Sequence, residues 1–178
     1  MKSLRLCVFD ESLKANQFEK LVDLARQEDI TVLGIDGGDR ISDPEITIEC
    51  LYPSDILAED MNNNSLVLMC TFDGLRMIEC GDVEIEGENV LLKEDVKADI
   101  IKIAHHGSSS SSSEGFMQMV NPKLAIISAG KNNRYGHPHM ETIELLDTNN
   151  IEYLCTMDTG ALFVTSDKNR IKVEGFND

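Results

Sequence analysis

The sequence predicts a mixed α/β domain, and three observations carry that prediction: a length suited to one core, an Asp-Gly hairpin signal in the first half, and strand–helix alternation in the second. The 178 residues can bury a genuine hydrophobic core but are few for two domains. Apolar residues at 42% and charged residues at 27% match globular proteins, which excludes a disordered, collagen-like or coiled-coil chain. The elements follow in order. A short apolar run at 4–9 reads as a strand, and 3.6-period apolars at Leu13, Phe18, Leu21, Val22 and Leu24 behind Asp10-Glu11-Ser12 read as a capped helix. Residues 30–35 form a second strand, and the alternation over 45–51 a third with one wet face. An acidic, Asn-rich loop spans 55–64, after which 65–72 and 75–80 flank Asp73-Gly74 as a hairpin. A helix at 84–92, a buried strand at 98–104, a helix at 114–120 and a strand at 124–128 come next. Pro138 begins a helix that ends at Asn149-Asn150, and strands at 151–155, 161–165 and 171–173 close the chain. Hairpins first and alternation later describe a mixed sheet with helices packed on it.

Sixteen Lys and Arg against 32 Asp and Glu give a net charge of −16. Tight nucleic-acid or anionic-membrane binding by charge attraction alone is therefore excluded, and any phosphate recognition must be local. No window approaches the ~18–20 apolar residues of a membrane span, and the opening Met1 to Cys7 carries charge too early for a signal peptide, so the chain itself is expected to be soluble. Cys7, Cys50, Cys70, Cys80 and Cys155 form no C-x-x-C pair and lie in or beside apolar runs, as buried thiols do. The six serines of 108–113 are too short for an interdomain linker and read as a surface loop.

The four histidines fall in two tight pairs, His105-His106 and His137-x-His139. The first pair, followed by Gly107, sits at the carboxyl end of a predicted strand, where open α/β sheets place ligands and catalytic groups. Metal binding or catalysis outweighs a purely structural role for such a pair. Gly81-Asp82 ends the preceding apolar strand. Asp82 is either an ordinary helix N-cap or a carboxylate converging with the imidazoles on a cation such as Zn²⁺ or Mn²⁺. The segment from Gly130 to His139 concentrates Lys131, Arg134, two amides and two histidines in an acidic chain. It reads either as an ordinary loop or as a place for anions, where neutral His137 and His139 ligate metal or donate a hydrogen bond. A serine hydrolase built on the serine run is disfavoured, since there is no Gly-x-Ser-x-Gly elbow.

These residues, taken as Asn62-Asn63-Asn64-Ser65, Cys80-Gly81-Asp82, Ile103-Ala104-His105-His106-Gly107-Ser108, Asn121-Pro122-Lys123 and Arg134-Tyr135-Gly136-His137-Pro138-His139, resemble the metallo-β-lactamase-like domain of ComEC-type DNA-internalization competence proteins over nearly the whole chain. The resemblance implies a metallo-β-lactamase-like αββα sandwich of which this chain is the C-terminal portion only, a single partial domain over 1–178 with an N-terminal remnant at 1–54 and the motif-bearing half at 65–178. It implies a phosphodiesterase or nuclease with one or two divalent ions, Zn or Mn, and DNA as partner. Asp82, His105 and His106 are implied as catalytic and metal-binding, with Cys80 where Thr is usual. Ser108, Lys131, Arg134, His137 and His139 are expected phosphate contacts, and 62–64 lies where many relatives carry another ligand histidine. The family's His-x-His-x-Asp-His motif is missing from the sequence. Isolated, the chain is therefore expected to be inactive, or an assembly module, and to associate with the rest of a ComEC-like polypeptide or with itself through an exposed sheet. The parent is expected in the bacterial cell membrane with this domain on the extracytoplasmic side.

Overall fold

The computed structural model describes residues 5–9, 18–53, 60–167 and 170–176. β1 (Arg5–Phe9) pairs in parallel with β2 (Thr31–Ile35) through α1 (Glu19–Gln27). Leu13, the first apolar residue of the predicted helix, and its capping residues 10–12 lie outside the described residues. β3 (Arg40–Ser42), β4 (Ile46–Tyr52), β5 (Val67–Phe72), β6 (Leu75–Glu79), β7 (Ile100–Lys102), β8 (Leu124–Ile127) and β9 (Glu152–Cys155) form one seven-stranded sheet in chain order. Pairing is antiparallel from β3 to β6 and parallel from β6 to β9. The change of sense follows from the connections: Asp73 (φ 46°) and Gly74 (φ 78°) close β5–β6 as a tight hairpin, whereas each parallel step needs a crossover. α2 (Ile85–Leu91), α3 (Glu114–Val120) and α4 (Met140–Thr148) supply those crossovers.

The adjacent apolar residues of β7 and β8 are explained by burial on both faces. Ile101, Ile103, Ala125 and Ile127 pack with Leu91, Phe116, Met117, Val120 and Leu146 in the main core under the helices. Ile100, Leu124 and Ile126 face the other way, against Leu162, Val164, Ile171 and Val173. Those four belong to a final hairpin, β10 (Ala161–Asp167) and β11 (Arg170–Phe176), which is antiparallel and forms a layer of its own. Helices, a large mixed sheet and a second β-layer are three layers of an αββα sandwich. The mixed α/β layering expected from the sequence is the layering observed.

Several local expectations need correction. The helix expected from Pro138 starts at Met140 with His139 as N-cap, because residues 137 and 138 are held in the preceding loop. A short strand at Arg40–Ser42 and a four-residue helical turn, α5 (Thr156–Thr159), carry too little periodicity to be read from sequence. The serine run is not a surface loop: Ser108, Ser111 and Ser112 are buried. Its position is fixed by Glu88, a fully buried carboxylate on α2 that accepts the amides of Ser112 and Ser113, the latter at 2.8 Å.

Cys50, Cys80 and Cys155 are buried and Cys70 is half-buried; the side chain of Cys7 lies outside the described residues. Desolvation pushes the Cys50 thiol up to about 11, against a smaller lowering by the Tyr52 carbonyl, and raises Cys80 further. Thiolate is the reactive form, so a thiol reagent at about pH 8 is expected to leave Cys50 and Cys80 unlabelled until denaturant is added. Mass spectrometry before and after unfolding checks this; rapid labelling of Cys80 in the native protein would contradict its burial.

Candidate functional site

Three loops meet at the carboxyl ends of the adjacent parallel strands β6, β7 and β8, where such sheets place their ligands. The first is Cys80-Gly81-Asp82. Gly81 (φ 54°) approaches Ser65 so closely that a Cβ would lie 2.8 Å from the serine Cβ, and Asp82 N–H donates to Ser65 Oγ at 3.0 Å. Asp82 is no helix cap: α2 starts beyond it, and the buried Asn63 Oδ1 accepts the amides of Glu84 and Gly87 at 3.0 and 3.2 Å. The Asn stretch therefore anchors α2.

The second loop is the 3₁₀ turn Ala104–Gly107. His105 (φ 46°) and His106 (φ 56°) both occupy the left-handed region, which costs non-glycine residues about 1–3 kcal/mol each and is held only where surroundings enforce it. Here they do: His105 N–H bonds the Gly81 carbonyl at 3.0 Å, and the Gly107 carbonyl accepts His139 N–H at 2.9 Å and Thr142 Oγ1 at 3.0 Å. Gly107 has φ +85° and a Cβ there would lie 2.6 Å from Pro138 Cβ. Gly107→Ala is expected to destabilise the fold by about 1–3 kcal/mol, measured by urea unfolding; an unchanged midpoint would show that the turn relaxes freely.

His106 Nδ1 lies 2.7 Å from the Ser128 carbonyl, which can only accept, so this nitrogen carries the proton. In the neutral ring Nε2 then presents a lone pair 3.6 Å from Asp82 Oδ1, and both side chains are about half exposed. Two electron-pair donors facing each other favour a cation or a proton between them. Their separation matches the roughly 3.4 Å between two ligands held tetrahedrally at ~2.1 Å from one ion. His105 points elsewhere: its Nδ1 is 3.2 Å from Glu84 Oε1 without hydrogen-bond alignment, and that carboxylate also accepts Asn62 and Ser110.

The third loop brings the second histidine pair onto the first. The buried His137 ring lies 5.5 Å from His105, 6.4 Å from His106 and 4.7 Å from His139. Desolvation, then the neighbouring imidazoles, hold its pKa below the ordinary histidine range, with Asp82 opposing. Asn133 braces it, Oδ1 accepting His137 N–H at 2.9 Å and Nδ2 donating to the His137 carbonyl at 2.6 Å. His139 is a strut: Nδ1 accepts Ser109 N–H at 3.0 Å, which leaves Nε2 to donate to the Tyr135 carbonyl at 3.2 Å. Both nitrogens are spent, and Ser108 is buried with Oγ on Ser110 at 2.9 Å, so neither offers a free group to phosphate. Lys131 and Arg134 are exposed. Sequence reasoning brought out all four histidines but assigned no role to Glu84, Asn133 or Tyr135, whose roles depend on loops folding back.

Among the described residues, no group of three or more His, Cys, Asp or Glu could hold a metal ion. Asp82 and His106 make two donors where catalytic zinc uses about three protein ligands, so the described residues alone do not fit such a centre.

No protein-family model matches the chain. It is 39% identical over 146 residues to ComE operon protein 3 of Bacillus subtilis, a match covering 81% of this chain and 19% of that protein. It is 32% identical over 120 residues to the competence protein ComA of Neisseria gonorrhoeae, covering 66% of this chain and 17% of the relative. A protein of Parabacteroides distasonis assigned as a metal-dependent hydrolase has a similar fold, with TM-score 0.52 and 17% identity over 76% of this chain and 61% of its own. The layered α/β fold is thus one that a metal-dependent hydrolase also adopts. The chain belongs to the ComEC-like family, and it spans about a fifth of the length of the curated relative from Bacillus subtilis.

Proposed function

We propose that this chain is the histidine-bearing part of the hydrolase domain of a larger ComEC-like DNA-uptake protein, acting on DNA phosphodiesters only when further ligands from outside the chain complete a divalent-ion centre. The observation that carries the reading is the Asp82–His106 pair, two donors preset by Ser65 and by the Ser128 carbonyl, 3.6 Å apart at the sheet's carboxyl end. Zn²⁺ or Mn²⁺, singly or as a pair, would supply Lewis acidity and an activated water to such a site. This chain's own part is to hold Asp82 and His106 in place, to keep His137 neutral beside them, and to present Lys131 and Arg134 to phosphate. Alone, it is inert.

A membrane-embedded parent with this domain on the extracytoplasmic side fits the same reading. Among the described residues no helix is long and apolar enough to cross a membrane. The outer face of the β10–β11 hairpin, with Phe163 and Phe176 more than half exposed, is where the rest of the polypeptide or a second copy would pack.

The test is a graft. With this chain in place of the matching segment of the Bacillus subtilis protein, natural transformation is expected to persist, while the isolated chain cleaves no DNA with Zn²⁺ or Mn²⁺ present. Cleavage by the isolated chain would refute the need for completion, and a graft that folds but abolishes transformation would refute the DNA-uptake role.

A further inference from the structure

We propose that the cavity beside His106 is a nucleobase-stacking subsite, with Tyr135 as the platform on which an unpaired base of single-stranded DNA lies. The identity of the strand rests on the DNA reading above; the subsite itself rests on four observations about the cavity.

It measures about 510 Å³, within the roughly 300–1,000 Å³ of small-ligand pockets, and His106, Ser128, Asn133, Tyr135 and His137 line it with Thr156. Its wall has no carboxylate. In a chain with 32 acidic residues, none falls between Glu114 and Glu141, a segment that carries Lys123, Lys131 and Arg134. This is the part of an acidic protein that a polyanion can approach.

Tyr135 is 62% exposed, so its ring contributes little to any core. Yet it is well placed: the ring stacks on His137 at 5.8 Å and 24°, and His137 in turn lies 6.4 Å and 22° from His106. Three nearly parallel rings thus lead from solvent to the Asp82–His106 pair. The Arg134 guanidinium covers the Tyr135 ring at 4.7 Å from its centroid and also bonds the phenol oxygen. A guanidinium on an exposed ring is held less strongly than a stacked base. An arriving base therefore displaces Arg134, and the released cation is free to meet the neighbouring phosphate. Duplex bases are already stacked on one another, so the subsite selects an unpaired one. With the net charge at −16, stacking rather than phosphate neutralisation has to supply most of the affinity.

The experiment is fluorescence anisotropy of a labelled oligothymidylate, and of a duplex of equal length, titrated with the 178-residue chain. Tyr135→Ala is expected to raise the single-strand Kd about 5- to 150-fold, the range measured for losing one stacked base. Tyr135→Phe and Tyr135→Trp should keep the wild-type Kd, and the weaker duplex binding should be the same in all variants. The salt slope for the single strand should be shallow, about −1.4 at most for two cations at ~0.7 each, unchanged in Tyr135→Ala and reduced in Lys131→Ala. Equal single-strand affinity in wild type and Tyr135→Ala overturns the subsite while leaving the DNA reading intact. Loss of affinity in Tyr135→Phe as well as Tyr135→Ala overturns it too, since the hydroxyl rather than the ring would then be the contact. If the wild-type chain binds neither oligonucleotide, the subsite is overturned, while the DNA reading stands or falls with the graft.

Discussion

Replacing Asp82 or His106 by alanine in the grafted competence protein is expected to lower transformation by roughly 100-fold or more, since even partners that merely orient metal ligands cost 10–100-fold when removed. The two substitutions should be equivalent and not additive, because either one dismantles the same pair of donors. Folding should survive both. Each side chain is about half exposed, and neither packs in the core. Met119→Ala, on the exposed side of α3, serves as a control expected to leave transformation unchanged. Wild-type transformation by both Asp82→Ala and His106→Ala grafts would remove the pair from the function altogether. His105→Ala is a different experiment: its ring faces Glu84 and the serine segment, so it reports on loop position.

The largest stability effect is expected at Glu88. Glu88→Ala strands the amides of Ser112 and Ser113, at about 1–3 kcal/mol each, and leaves a hole beneath the serine segment, for a total of about 3–5 kcal/mol. For a chain of this size that lowers the melting temperature by roughly 6–20 °C. Burial raises the Glu88 carboxyl above its ordinary 4.5, outweighing the lowering by its hydrogen bonds to Ser113 and Ser112. A raised carboxyl means that folding favours the protonated form. Its contribution is fully present below 4.5 and is lost as pH rises through the higher folded value. Wild-type stability should therefore fall relative to Glu88→Gln as pH is raised from 4.5, as measured by urea unfolding across a pH series. A difference between the two proteins that stays constant with pH would contradict a titrating buried carboxylate.

Much of the fold could be read from the sequence because its signals are local. Asp73-Gly74 specified the hairpin, and the largely apolar runs over 98–104 and 124–128 marked the doubly buried parallel strands. The candidate site was half legible for the same reason. His105-His106-Gly107 follows a strand directly, so its placement at a carboxyl end needed no tertiary knowledge. What could not be read depends on residues distant in sequence. Nothing near Ser108 to Ser113 reveals that Glu88, 24 positions before Ser112, draws the segment inward, so polar composition alone suggested a surface loop. Likewise His139 resembles a free ligand until Ser109 and the Tyr135 carbonyl are seen to occupy both its nitrogens. Asn63 shows the reverse case, an amide standing where a ligand would be sought and spent instead on the amides of Glu84 and Gly87.

In the proposed function Asp82 and His106 are part of a divalent-ion centre that this chain does not complete. Its most direct test is the metal content of the isolated chain by inductively coupled plasma mass spectrometry, after equilibration with Zn²⁺ or Mn²⁺ and gel filtration. The expected result is far less than one ion per chain, in wild type and Asp82→Ala alike. One tightly held ion per chain in wild type, absent from both Asp82→Ala and His106→Ala, would contradict it.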